Sequence, residues 1–283
     1  MSALRYLVVL LLGMVVVGVA TAQKAQVGSD VGGTDSSVVV AYSLLDAHLT
    51  LHQPVILIFS LTNHTSNPVQ LDLGQDSRQG FSFAVVDTAG KRLQLPELVR
   101  NGFSALGTVS VQPGHTYSQR LVLNQWYPFP VPGKYEFEGH LTHPLVLGKG
   151  AERQIDQGFH LALEIAPRDE AVLSKTCDEL VKEIKVAYEQ NATDAALALS
   201  YVNDTIAVPY LISVLSSRRH LEPIIIQGLG RIGGPSSIDA LIEVYRSNDV
   251  EMKGLAGVAL FDICQQTSDS SVREEINGVL GRT

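Results

Sequence analysis

At Pro167 the spacing of apolar residues changes. Downstream it is helical, as in Leu180, Ile184 and Ala187 or Tyr188. The same region matches itself at an offset of 30 residues. Leu199-Ser200-Tyr201-Val202-Asn203-Asp204 aligns with Leu229-Gly230-Arg231-Ile232-Gly233-Gly234, and Val208, Leu211, Ile212, Val214 and Leu215 align with Ile238, Leu241, Ile242, Val244 and Tyr245. A helical unit of this length cannot bury its apolar face alone and must stack on neighbouring copies. The spacing predicts three units, roughly 169–203, 204–234 and 235–267, and then a terminal helix for which Ser271-Val272-Arg273-Glu274 has capping-box form.

Upstream of Pro167 the period is two. Strand signals are Val38–Tyr42, Val55–Leu61, Val69–Leu73, Phe81–Val86, Val109–Val111, Leu121–Leu123, Tyr135–Leu141 and Phe159–Ile165. Asn63–Pro68, Ala89-Gly90, Pro113-Gly114 and Pro132-Gly133 break them apart. Seven or eight short strands in some 130 residues suggest an antiparallel sandwich of immunoglobulin type. The fold class expected is therefore multidomain β plus α, a β-sandwich followed by a short all-α solenoid.

Residues 1–22 read as a signal peptide. Arg5 supplies a positive start, Tyr6–Ala20 a 15-residue apolar run, and Ala20-Thr21-Ala22 a small-x-small cleavage site. The run is short for a membrane span, which needs about 20 residues. Export to the periplasm or outside the cell is expected, with no membrane insertion after cleavage; an uncleaved N-terminal anchor is the alternative. A flexible linker at 23–35, the sandwich domain at 36–167 and the helical domain at 168–283 complete the organisation. The two cysteines, Cys177 and Cys264, lie about two repeats apart. Helices pack at roughly 8–10 Å and a disulfide needs Cα atoms within about 7 Å, so two buried thiols are expected.

Two resemblances follow from particular residues. Phe81–Asp87 with Gly90-Lys91, Pro113-Gly114, Trp126, Gly133-Lys134-Tyr135 and Gly139 resembles the BsuPI-type intracellular proteinase inhibitor domain, an Ig-like sandwich. Tyr201–Asp204 followed by Ala207–Ile212 resembles HEAT repeats, which are protein-binding scaffolds. The first implies an inhibitor acting through a sandwich loop, here in a chain read as exported; the second implies no catalysis. The leader and both resemblances are bacterial in character, so the sequons at Asn63, Asn191 and Asn203 are set aside.

The net charge of −8, which becomes −9 without Arg5, disfavours nucleic acid as a partner. Gly228-Leu229-Gly230-Arg231-Ile232-Gly233 matches a dinucleotide fingerprint behind the strand-like Ile224-Ile225-Ile226. The equivalent segment one repeat earlier, Ala198–Asn203, lacks the glycines, and only 50 residues follow Gly233, too few for a doubly wound sheet. No cofactor is therefore expected. No metal is expected either, because His140 and His143 fall on opposite faces of a strand and no third ligand has the required spacing. Gly-x-Ser-x-Gly and His-Glu-x-x-His are missing. The reading is a non-enzymatic adaptor for a protein partner, with an exported proteinase inhibitor as the alternative. Expected contact residues are Tyr127 and Phe129 in an exposed aromatic loop, Arg218 and Arg219 in a cationic loop, and Gln227 and Arg231 on an inner helix. Trp126 is expected to plug the sandwich core.

Overall fold

In the computed structural model, which describes residues 37–74, 80–95, 107–147, 151–153 and 158–281, period-two alternation becomes pleated strands with one dry face. The strand Phe159–Ala166 shows it best: Phe159, Leu161, Leu163 and Ile165 are buried and the residues between them exposed. The expected signal peptide and linker lie outside the described residues. Among the described residues, no helix is long and apolar enough to cross a membrane.

Twelve strands are described: β1 (Val38–Leu44), β2 (Leu49–Thr50), β3 (Ile56–Asn63), β4 (Val69–Asp72), β5 (Phe81–Val86), β6 (Arg92–Gln94), β7 (Thr108–Val111), β8 (Thr116–Val122), β9 (Gly133–Leu141), β10 (Leu145–Leu147), β11 (Ala151–Arg153) and β12 (Phe159–Ala166). They form three sheets, ordered β1-β3-β8, β2-β12-β9-β5-β6 and β11-β10-β4-β7. Aromatic residues join the first two sheets, with Phe59 and Phe81 centroids 5.1 Å apart and Tyr42 and Phe159 4.3 Å apart. Val69, Leu71 and Leu145 of the third sheet enter the same core. Trp126 also lies in it, edge-on to Phe83 at 4.8 Å. The expected all-antiparallel pairing fails at one ladder: β2 runs parallel to β12, with Leu49 opposite Ile165. A parallel pair needs a long crossover, and nearly the whole strand region intervenes between these two.

The helices are α1 (Glu170–Val186), α2 (Glu189–Ser200), α3 (Val208–Val214), α4 (Glu222–Ile232), α5 (Pro235–Arg246), α6 (Val250–Gln266) and α7 (Ser270–Leu280). They form three pairs, α1–α2, α3–α4 and α5–α6, with α7 resting on α6. Asp169 and Asp249 cap α1 and α6 by accepting hydrogen bonds from backbone N–H groups of the first turn. At α7 the expected cap is corrected: Asp269, not Ser271, is the N-cap, and its carboxylate accepts from both the backbone N–H and the hydroxyl of Ser271. Cys177 and Cys264 are free and buried.

Helix α4 is central, packing on α2 on one side and α6 on the other. A Cβ at Gly228 would lie 2.8 Å from Ser200 Cβ, and one at Gly230 would lie 2.9 Å from Ala259 Cβ. Two of the fingerprint glycines thus allow neighbouring helices to approach closely. Ile224–Ile226 is helical as well, so no strand leads into this segment. The 30-residue offset reappears as a physical contact, because the Arg231 guanidinium lies 3.8 Å above the ring of Tyr201, the residue with which it aligns.

The sheets and helices also touch. Ile56 and Val122 belong to the helical core. Thr50 Oγ1 donates to the Pro167 carbonyl at 2.6 Å and accepts from Asp169 N–H at 2.9 Å. Arg120 Nη1 donates to both carboxylate oxygens of Glu183, at 2.8 and 2.9 Å. Asn203 N–H donates to the His52 carbonyl at 3.1 Å.

Candidate functional site

The last contact shapes a cleft. The ends of α2 and α4 meet the turn that follows β8, leaving a hollow of about 150 Å³ lined chiefly by Asn124, Pro128, Tyr201, Asn203, Arg231 and Ile232. Each wall has a local cause. The N–H of Val55 donates to Asn124 Oδ1 at 2.6 Å, holding the Asn124 amide at the rim. Gly228 brings α2 close enough for Arg231 Nη2 to donate to the Ser200 carbonyl and hydroxyl, each at 3.0 Å. The Tyr201 ring supports the guanidinium from below, a cation–π arrangement.

Arg231 is exposed as a residue, yet desolvation draws its pKa below the usual arginine value while Tyr201 acts in the opposite direction. A cleft wall is surrounded without being covered, which reconciles the two. The group stays cationic in any case, since arginine is not deprotonated in proteins. A second hollow of about 360 Å³, between α3 and the α4–α5 link, is larger but has no titratable side chain in its lining. Charge therefore singles out the first.

The other expected contact residues fall elsewhere. Phe129 is not exposed but 3% accessible, packed edge-on to Tyr135 at 5.3 Å with φ +47°. Tyr127 is half-buried against both rings. The loop turns inward, its Phe129 ring packing on Tyr135 and Phe137 of β9. Arg218 donates to the carbonyls of Ala187 and Lys185 at the end of α1. Arg219 pairs with Asp249, the cap of α6, and with Glu251. The expected cationic loop thus ties neighbouring helix pairs together, with the Arg219 side chain still exposed. Gln227 is exposed one turn before Arg231 on α4. Asn124 was not singled out in the sequence and Asn203 only as part of the repeat and as a sequon, whereas Tyr201 aligned with Arg231.

Among the described residues, no group of three or more His, Cys, Asp or Glu is placed to hold a metal ion. No family model matches the chain. No curated protein matches it. Among solved structures it is similar to Northeast Structural Genomics Consortium target SoR45, at 16% identity and TM-score 0.27 over 46% of this chain and 88% of that one. It is similar to a beta-glucosidase from Listeria innocua in complex with isofagomine, at 12% identity and TM-score 0.25 over 46% of this chain and 16% of that one. A third similarity is to alpha-2-macroglobulin of E. coli, at 11% identity and TM-score 0.28 over 87% of this chain and 18% of that one. Likenesses this slight carry no argument about fold or activity.

Proposed function

We propose that this chain is an exported, non-enzymatic adaptor, an Ig-like sandwich joined to a HEAT-like solenoid, that recognises a protein partner at the junction of the two. One observation carries the reading: Arg231 stands in a cleft between strand and helix regions, held by Ser200 and Tyr201 but facing no carboxylate among the described residues. Export rests on the N-terminal leader, and the non-enzymatic reading on the missing catalytic motifs. The proteinase-inhibitor alternative draws no support from the aromatic loop, whose Phe129 packs inward.

The test is capture from envelope extract by the mature chain, compared with a Gln227→Ala/Arg231→Gln variant. A protein retained by the first and lost by the second, then confirmed by titration with the purified pair, is the expected outcome. Equal retention by both, or no capture where micromolar binding would register, overturns the proposal.

A further inference from the structure

Four other arginines show what Arg231 lacks, whereas Arg218, like Arg231, reaches only neutral acceptors. Arg92 pairs with Glu138, Arg120 with Glu183, Arg168 with Asp204 and Arg219 with Asp249. Arg231 has a carbonyl, a hydroxyl and an aromatic face, all of them neutral. A guanidinium that faces a cleft without a carboxylate partner can donate a charge-assisted hydrogen bond to an anionic group. Ser200 engages only Nη2, so Nε–H and the Nη1 hydrogens remain for a ligand. The Asn203 side chain is exposed nearby, and Asn124 Nδ2 makes only a long 3.5 Å contact with the Gln53 carbonyl. Pro128, Val202 and Ile232 add apolar walls.

Size narrows the ligand. Drug-sized ligands and cofactors usually occupy about 300–1,000 Å³, whereas about 150 Å³ accommodates only a group the size of a single side chain or chain terminus, or a comparably small molecule. We infer that the junction cleft receives one carboxylate-bearing residue of a protein partner, with Arg231 as the charged donor, the two asparagine amides completing the polar set and the Tyr201 ring holding the guanidinium in place. This inference rests on the adaptor reading and narrows it to one contact. A chain terminus and an acidic side chain offer the same carboxylate chemistry, so the test separates them.

Four blocked tripeptides are titrated into the mature chain: Ac-Ala-Ala-Val-OH and its C-terminal amide, and Ac-Ala-Glu-Ala-NH2 and its Gln counterpart. The readout is the Arg231 Nε–Hε resonance, assigned by its loss in Arg231→Gln. The expected result is a saturable shift with Kd near 1 mM for at least one carboxylate peptide and none for its neutral counterpart. Whichever carboxylate binds identifies the source. Tyr201→Leu, which leaves the charge in place but removes its support, should weaken binding about tenfold. Affinity followed by backbone amide shifts in Arg231→Gln should fall at least as far, with the melting temperature as the check on folding. If that variant does not fold, Asn203→Ala replaces it and should weaken binding several-fold.

No shift up to about 10 mM, equal shifts from the neutral peptides, or undiminished binding in the variants overturns the inference. Peptide binding without any captured partner would instead overturn the adaptor reading and leave the site standing. A captured partner indifferent to Arg231→Gln would do the reverse.

Discussion

Replacing Gly228 by alanine tests the packing that builds both the helix stack and the cleft. The added methyl would lie 2.8 Å from Ser200 Cβ, 2.9 Å from Ser200 Cα and 3.4 Å from Leu211 Cδ2. Carbon pairs are comfortable at about 3.5–4.0 Å. Two of the three contacts are to atoms at or next to the backbone of α2, which no rotamer change can move, and Ser200 is 1% accessible. Helices α2 and α4 must separate by a few tenths of an ångström or more. Overpacking of this kind costs about 1–3 kcal/mol, and the better helix propensity of alanine returns up to about 1 kcal/mol. The net expectation is a loss of about 1–2 kcal/mol. Gly254, in α6, is the control, because a Cβ there meets nothing within 4 Å. Gly254→Ala should gain about 0.5–1 kcal/mol by the same propensity term. Urea unfolding, read as a midpoint shift at unchanged slope, measures both. If Gly228→Ala is as stable as wild type, or gains as Gly254→Ala does, the close approach is not what α4 requires of that glycine.

Three further outcomes are expected. Arg120→Met should cost about 1–3 kcal/mol, because it leaves Glu183 half-buried without its cation; a double-mutant cycle with Glu183→Gln that shows strict additivity refutes the coupling. Asp194 on α2 has its carboxyl raised to about 6, mainly by burial and in smaller part by Glu183, against the Gln190 hydrogen bond and Arg120. A native pKa above the unfolded value of 3.8 means the folded state binds the proton more tightly, so this group's contribution is present at low pH and lost as pH rises through about 6. The stability of Asp194→Asn relative to wild type should therefore grow between those two values and level off above them, and a difference that stays flat across that range removes the assignment. Burial pushes the Cys177 thiol up to about 12, so a thiol reagent should leave it untouched in folded protein and titrate two thiols after denaturation. Rapid modification of Cys177 in the native state contradicts its placement.

Much of the secondary structure was legible because its signals are local. The eight strand signals correspond to β1, β3, β4, β5, β7, β8, β9 and β12, and the three repeat units contain the three helix pairs. The strands that escaped are short, β2 having two residues and β6, β10 and β11 three each, too few for a period to register. The cap of α7 went to Asp269 rather than Ser271 because a carboxylate at that position can accept two hydrogen bonds at once.

The site was half legible. Arg231 and Gln227 stood out through the repeat, but nothing in a linear chain brings Asn124 to Tyr201, which are 77 positions apart. The same distance in sequence hid the fate of Arg218, whose carbonyl partners lie a full repeat upstream, and of Phe129, whose exposure depended on whether the rings of Tyr135 and Phe137 would receive it. Periodicity, breakers and duplication determined which segments pleat, which coil and that the coils must stack, since each is a relation among neighbours along the chain. Which arginine would meet a carboxylate and which only neutral groups was decided only in three dimensions, because a charge is neutralised by whatever lies within a few ångströms of it.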